Sequence, residues 1–159
     1  MDSADTNTVA GTDSPVPVGS PDSWEQRTFD KVAAHLLKQN AKSRSTTQAW
    51  ATCAYRGVGG LKCAVGCLIP DDLYSPRIEG SVYALPIHVL AYLIELPVDH
   101  ELRVRASRMH FLSKLQMIHD AASPEAWRRV LHAFGVEFSL RLTVLEPAAG
   151  TPSAETTTA

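Results

Sequence analysis

Residues 52–72 read TCAYRGVGGLKCAVGCLIPDD, and this stretch limits the fold more than any other. Gly57, Gly59 and Gly60 call for a turn that uses positive φ, and Pro70 stops whatever helix precedes it. The segment therefore has room only for short elements. Thr52 to Arg56 and Leu61 to Cys63 flank the glycines as the arms of a short β-hairpin. The second arm is expected to enter a short helix from near Cys63 to Ile69. Cys63 would then lie at a helix N-terminus. All three cysteines of the chain, Cys53, Cys63 and Cys67, fall inside this segment. Three explanations fit such a cluster: metal ligation, nucleophilic chemistry, or thiols buried as small apolar side chains.

Around this segment the sequence is helical in period. Ser23 and Gln26 have the spacing of a capping box, which predicts a helix to about Gln39. Phe29, Val32, Ala33, Leu36 and Leu37 share one face of it. Residues 41–48 read as a polar loop. Pro86 suits the first position of a helix to about Leu96, apolar around most of its circumference and so expected at the centre of the fold. Asp99 can cap a long helix to about Ala121 with a stripe of Val104, Phe111, Leu115 and Ile118. Ser123 and Pro124 start a final helix carrying Trp127, Val130, Leu131 and Phe134, with Gly135 as its stop. Residues 136–145 are expected as a strand or extended segment that closes the core.

The ends differ from this body. Residues 1–20 and 146–159 are rich in Ser, Thr, Pro and Gly, lack an apolar period, and are expected as disordered acidic tails around a single domain spanning 21–145. They hold five of the seventeen acids and none of the fifteen Lys and Arg, so a net charge of −2 becomes +3 for the body. That is mildly basic, without the dense Lys/Arg stripe of a nucleic-acid binder. No apolar run reaches the length of a membrane span and the start lacks the pattern of a secretory signal, which together predict a cytoplasmic protein. In that compartment the thiols are expected to be free or metal-bound rather than paired.

The run CAYRG..GLKCAVGCLIPDD.Y, followed by Glu79-Gly80, FLSKLQMIHD and then Trp127 with Phe134, resembles a family of small uncharacterised bacterial and phage proteins. The resemblance covers about Phe29 to Leu140. It implies a compact intracellular domain and carries no activity or ligand onto named residues.

Each chemical reading has its own residues. Zinc would take Cys53, Cys63 and Cys67 with a fourth ligand from His88, His100, His110, His119 or His132. Nine residues separate Cys53 from Cys63 and three separate Cys63 from Cys67, which is unlike the tight pairs of a zinc knuckle. Ala64, Val65, Leu68 and Ile69 favour burial of the thiols instead. Catalysis would rest on Cys63, activated by the helix end and Lys62, with His119 as general base. Adjacent helix positions diverge by a quarter turn or more, so Asp120 is expected in solvent rather than on His119. Gly57, Gly59, Gly60 and Lys62 do not fit the phosphate-loop spacing. His88, Tyr92 and Glu95 read as an exposed strip, and Arg103, His110 and Lys114 as a solvated ridge.

The fold class that follows is α+β, predominantly α: four to five helices packed around a central apolar helix, with a small β-hairpin. The function expected of it is that of a non-enzymatic protein-binding or regulatory module, its partner another protein, without nucleic acid or membrane. A Cys63-dependent enzyme with His119 as base and a zinc-stabilised module are the alternatives, and zinc is the sole cofactor considered.

Overall fold

The computed structural model describes residues 19–45, 53–79, 102 and 106–146. Three α-helices carry it: α1 over Trp24–Gln39, α2 over Ala106–Ala121 and α3 over Pro124–Glu137. Short 3-10 turns at Val58–Gly60, Gly66–Leu68, Pro76–Ile78 and Thr143–Leu145 make up the rest of the regular structure.

The N-terminal cap of α1 forms where the sequence places it, whereas Ser123 before α3 makes no side-chain cap bond. Ser23 Oγ accepts from Gln26 N–H at 3.1 Å, and Asn40, left-handed at φ 47°, donates its N–H to Leu36 O to end α1. The second arm of the expected capping box has another use. Gln26, fully buried, donates to Arg141 O at 3.0 Å and accepts from Arg141 N–H at 2.8 Å. Its amide thus acts as one residue of a neighbouring strand and fastens the C-terminal segment to α1.

The apolar faces meet as their periods require. Phe29 stacks on Phe134 with centroids 5.8 Å apart, and Phe111 sets its edge against Phe134 at 4.9 Å. Trp24 meets Phe111 edge-on at 5.4 Å. Trp127 is fully buried and donates its indole N–H to Ile118 O at 3.2 Å, which joins α2 to α3. Each such ring contributes about 1.5–3 kcal/mol through burial alone.

The α+β expectation is corrected. Among the described residues there are three helices rather than four or five, and no strand. The arms of the expected hairpin meet only at one isolated bridge, Arg56 to Lys62, while Cys53 pairs with Arg44 instead. The reason is that side chains take over the hydrogen bonds a second strand would have supplied. The turn itself is as expected in one respect: Gly59 and Gly60 have φ of 70° and 76°. The helix expected over 63–69 is a single 3-10 turn, Gly66–Leu68. Gly135 does not stop α3, which runs on to Glu137 and turns at Ser139, where φ is 54°. Residues 136–145 form no strand; they hold the end of α3 and the turn Thr143–Leu145. The central helix expected over 86–96, and the part of the long helix before Ala106, lie outside the described residues. Among the described residues no helix is long and apolar enough to cross a membrane.

Candidate functional site

Two buried polar residues, Ser43 and His119, meet where the Cys segment, the connector after α1 and the end of α2 come together. Ala54 N–H donates to Ser43 O at 3.3 Å, and Ser43 Oγ lies 2.7 Å from Ala54 O and 3.0 Å from Leu61 O. Ser43 is fully buried and so staples the connector to both sides of the glycine turn. From α2, Gln116, His119 and Asp120 reach the same place, and Lys42 Nζ donates to Asp120 O at 2.7 Å, a cation on the C-terminal carbonyls of the helix.

Cys53 is the sulfur at the centre. Gln116 Nε2 donates to Cys53 Sγ at 3.0 Å and to Asp120 Oδ1 at 2.9 Å, while its Oε1 accepts from Val65 N–H at 3.0 Å. His119 Nδ1 lies 3.5 Å from Cys53 Sγ and 2.8 Å from Asp120 Oδ1. Asp120 therefore does not stand in solvent apart from its neighbour. Its short side chain folds back across the last turn of α2 and spans the quarter turn between the two positions. The thiol, the imidazole nitrogen and the carboxylate oxygen lie within 4.8 Å of one another, a ligand-like cluster.

The other ring nitrogen decides what this cluster can do. Ser43 N–H donates to His119 Nε2 at 3.1 Å in a buried contact. A backbone N–H can only donate, so Nε2 must present its lone pair, and in a neutral imidazole the proton then sits on Nδ1. The atom facing Cys53 and Asp120 is thus a donor. To take a proton from a thiol, or to ligate zinc, Nδ1 would need its lone pair, which leaves Nε2–H pointing at Ser43 N–H. His119 is 1 % exposed and stacked on Trp127 at 5.6 Å, so the ring is held where it is.

Two of the thiols, Cys53 and Cys67, are held protonated. A hydrogen bond with Cys63, burial, and the charges of Cys63 and Asp120 all push the Cys53 thiol far above its ordinary value. Burial, followed by Cys63, raises Cys67 to about 12. For Asp120, burial opposes ionisation, but hydrogen bonds from His119, Cys53 and Gln116 outweigh it and hold the carboxyl below its ordinary value. Cys63 is 1 % exposed and accepts Gly66 N–H on its sulfur at 3.2 Å. Cys67 points its thiol at Ala64 O, 3.2 Å away.

The residues named from sequence are therefore distributed as follows. His119 meets Cys53, whereas Cys63 was the nucleophile expected opposite it. Cys63 stands before a single 3-10 turn, too short to bring the field of a helix end to bear. The three cysteines do not assemble a ligand set with Cys67, whose sulfur is engaged by its own turn. His110 and His132 are exposed on α2 and α3, and His88 and His100 lie outside the described residues. Ser43 and Gln116 escaped the sequence reading. Gln116 lies four residues before Asp120 on the same helical face, which is the one local signal that could have marked it.

A second network explains the charged residues of the motif. Glu79 accepts Tyr55 N–H at 3.1 Å and Arg56 N–H at 2.7 Å, and takes Tyr74 O–H at 3.2 Å. Arg56 donates to Gly66 O, to Ile69 O at 2.8 Å and to Asp71 at 2.7 Å, with Tyr74 beneath its guanidinium at 5.1 Å. Gly66 is required by close approach: a β-carbon there would sit 2.2 Å from Tyr55 O. No protein-family model, curated protein or solved structure matches the chain.

Proposed function

We propose that this chain is a non-enzymatic module that binds another protein, with residues 53–79 as a rigid scaffold rather than a reaction centre. The observation that carries this reading is the bond from Ser43 N–H to His119 Nε2, which leaves the imidazole facing Cys53 as a donor and without the lone pair a general base or a metal ligand needs. The scaffold presents the tip Val58-Gly59-Gly60, where Val58 is 58 % exposed and neither Gly59 nor Gly60 has a neighbour within 4 Å of a β-carbon position. Such a tip, held at its base by Ser43, Arg56 and Glu79, can enter a concave partner with little loss of conformational freedom.

Alkylation by iodoacetamide near neutral pH tests the reading. Cys53, Cys63 and Cys67 should each react at least about 100-fold more slowly in the folded chain than in the unfolded one. A folded-state thiol that reacts as fast as, or faster than, its unfolded counterpart would overturn it in favour of the cysteine-dependent enzyme. The binding surface is tested by Val58→Asp, which should abolish association with the partner while leaving the melting temperature unchanged. Unchanged association would remove the tip from the interface.

A further inference from the structure

We propose that the cavity between α1 and the turn Gly66–Leu68 is an oxyanion site that takes a phosphate group, free or as a small monoester, in place of the Asp71 carboxylate. The cavity has a volume of about 320 Å³ and is lined by Lys31 from α1, by Lys62, and by Pro70 and Asp71 beyond the turn. That volume is at the lower end of the range for small-molecule sites. The way the chain holds its own carboxylate shows what the site recognises. Lys62 Nζ stands 2.6 Å and Arg56 Nη2 2.7 Å from the same oxygen, Asp71 Oδ1. Two cations thus converge on one anionic oxygen at charge-assisted distance. Lys31 brings a third cation to the lining, against the one carboxylate.

The cations and the carboxylate differ in how firmly they are held. Arg56 donates to Gly66 O and to Ile69 O, the latter at 2.8 Å, lies over the Tyr74 ring, and has a side chain only 13 % exposed. Lys62 is fixed through its backbone, its N–H on Gln39 Oε1 and its carbonyl met by Gln39 Nε2, both at 2.9 Å. The Asp71 side chain, by contrast, is 77 % exposed. An exposed carboxylate parts from its cations at little cost, since water takes their place. An entering phosphate offers the same donors a second negative charge and further acceptor oxygens, an advantage that Asp71 cannot match. Asp71 is therefore the internal occupant, and the ligand competes with it. No bond is made or broken, and the inference does not depend on the protein-binding reading.

Inorganic phosphate and glycerol phosphate are the probes, titrated separately into the ¹⁵N-labelled full chain at fixed pH and followed by amide shifts, with sodium chloride at matched ionic strength as the reference. Saturable shifts are expected at Lys31, Lys62 and residues 66–72 with at least one probe, and not around the Lys114–Glu137 ion pair at the other helices. The probe that binds more tightly names the source of the phosphate group. Asp71→Asn removes the resident charge and should tighten binding by about threefold or more, whereas Lys62→Gln should weaken it by about tenfold. Shifts no larger than those caused by chloride, shifts as large around Lys114 as around Lys62, or weaker binding by Asp71→Asn would each overturn the proposal. Asp71 is exposed, so that variant decides the matter even where Lys62→Gln alters the fold.

Discussion

The aromatic core between the helices and the buried part of the segment from Cys53 to Glu79 are held by different forces. In the core, Phe29, Phe111, Trp127 and Phe134 lie on helices whose backbone groups bond within the helix, so the side chains are free to be apolar. Residues 53–79 have no such internal ladder. Beyond their turn bonds, several of their backbone groups are met by side chains distant in sequence: Gln39 accepts from Lys62 N–H and donates to Lys62 O, both at 2.9 Å, Gln116 serves Val65, and Glu79, at the segment's far end, serves Tyr55 and Arg56. The difference teaches that an irregular buried segment needs particular polar residues at particular places, while a helical core needs volume and period.

This contrast can be broken by substitution. The largest loss is expected in the core: Trp127→Ala removes a fully buried ring and its bond to Ile118 O, and should cost about 3–5 kcal/mol in denaturant unfolding. Glu79→Ala strips the acceptor from two backbone N–H groups and should cost about 2–4 kcal/mol, although it removes almost no apolar contact. A loss below about 0.5 kcal/mol there would sink the idea that side chains stand in for a strand. Gly66→Ala places a methyl on Tyr55 O and should cost about 1–3 kcal/mol, the same methyl at exposed Ala34 being already tolerated.

The smallest effect is one of pH. His35 is lowered chiefly by burial, against the opposing bond to Lys62 O. The unfolded chain therefore binds the proton first, and this contribution is full above about pH 6.5 and is lost as pH falls through the lowered folded value. The depressed Asp120 carboxyl has the same sign at lower pH, its share being present above about pH 4 and lost as pH falls through its folded value. Denaturant midpoints measured down the pH scale should show both losses, each under about 1 kcal/mol. His35→Gln should flatten the first and Asp120→Asn the second.

How much of this could be read from the chain follows from the same contrast. The helical stripes were legible: Phe29, Val32, Ala33 and Leu36 are buried on α1, Phe111, Leu115 and Ile118 on α2, and Trp127, Leu131 and Phe134 on α3. Helical period and caps are local, so a few neighbouring residues announce them. The hairpin was misread because its alternative depends on Gln39, Glu79 and Gln116, which lie 23 to 51 residues from the backbone groups they serve. His119 was legible as a polar residue of interest, but its partner was not, since sequence offered Cys63 and the fold delivers Cys53. The role of Ser43 was invisible, because it acts on His119 through a backbone N–H that every non-proline residue possesses.

The most direct test is the tautomer of His119, read from two-bond proton–nitrogen correlations of the ¹⁵N-labelled folded chain. A scaffold requires the proton on Nδ1, with Nε2 showing the shift of an acceptor nitrogen. A proton on Nε2, or an imidazolium opposite a Cys53 thiolate, would contradict it and return the cluster to chemistry.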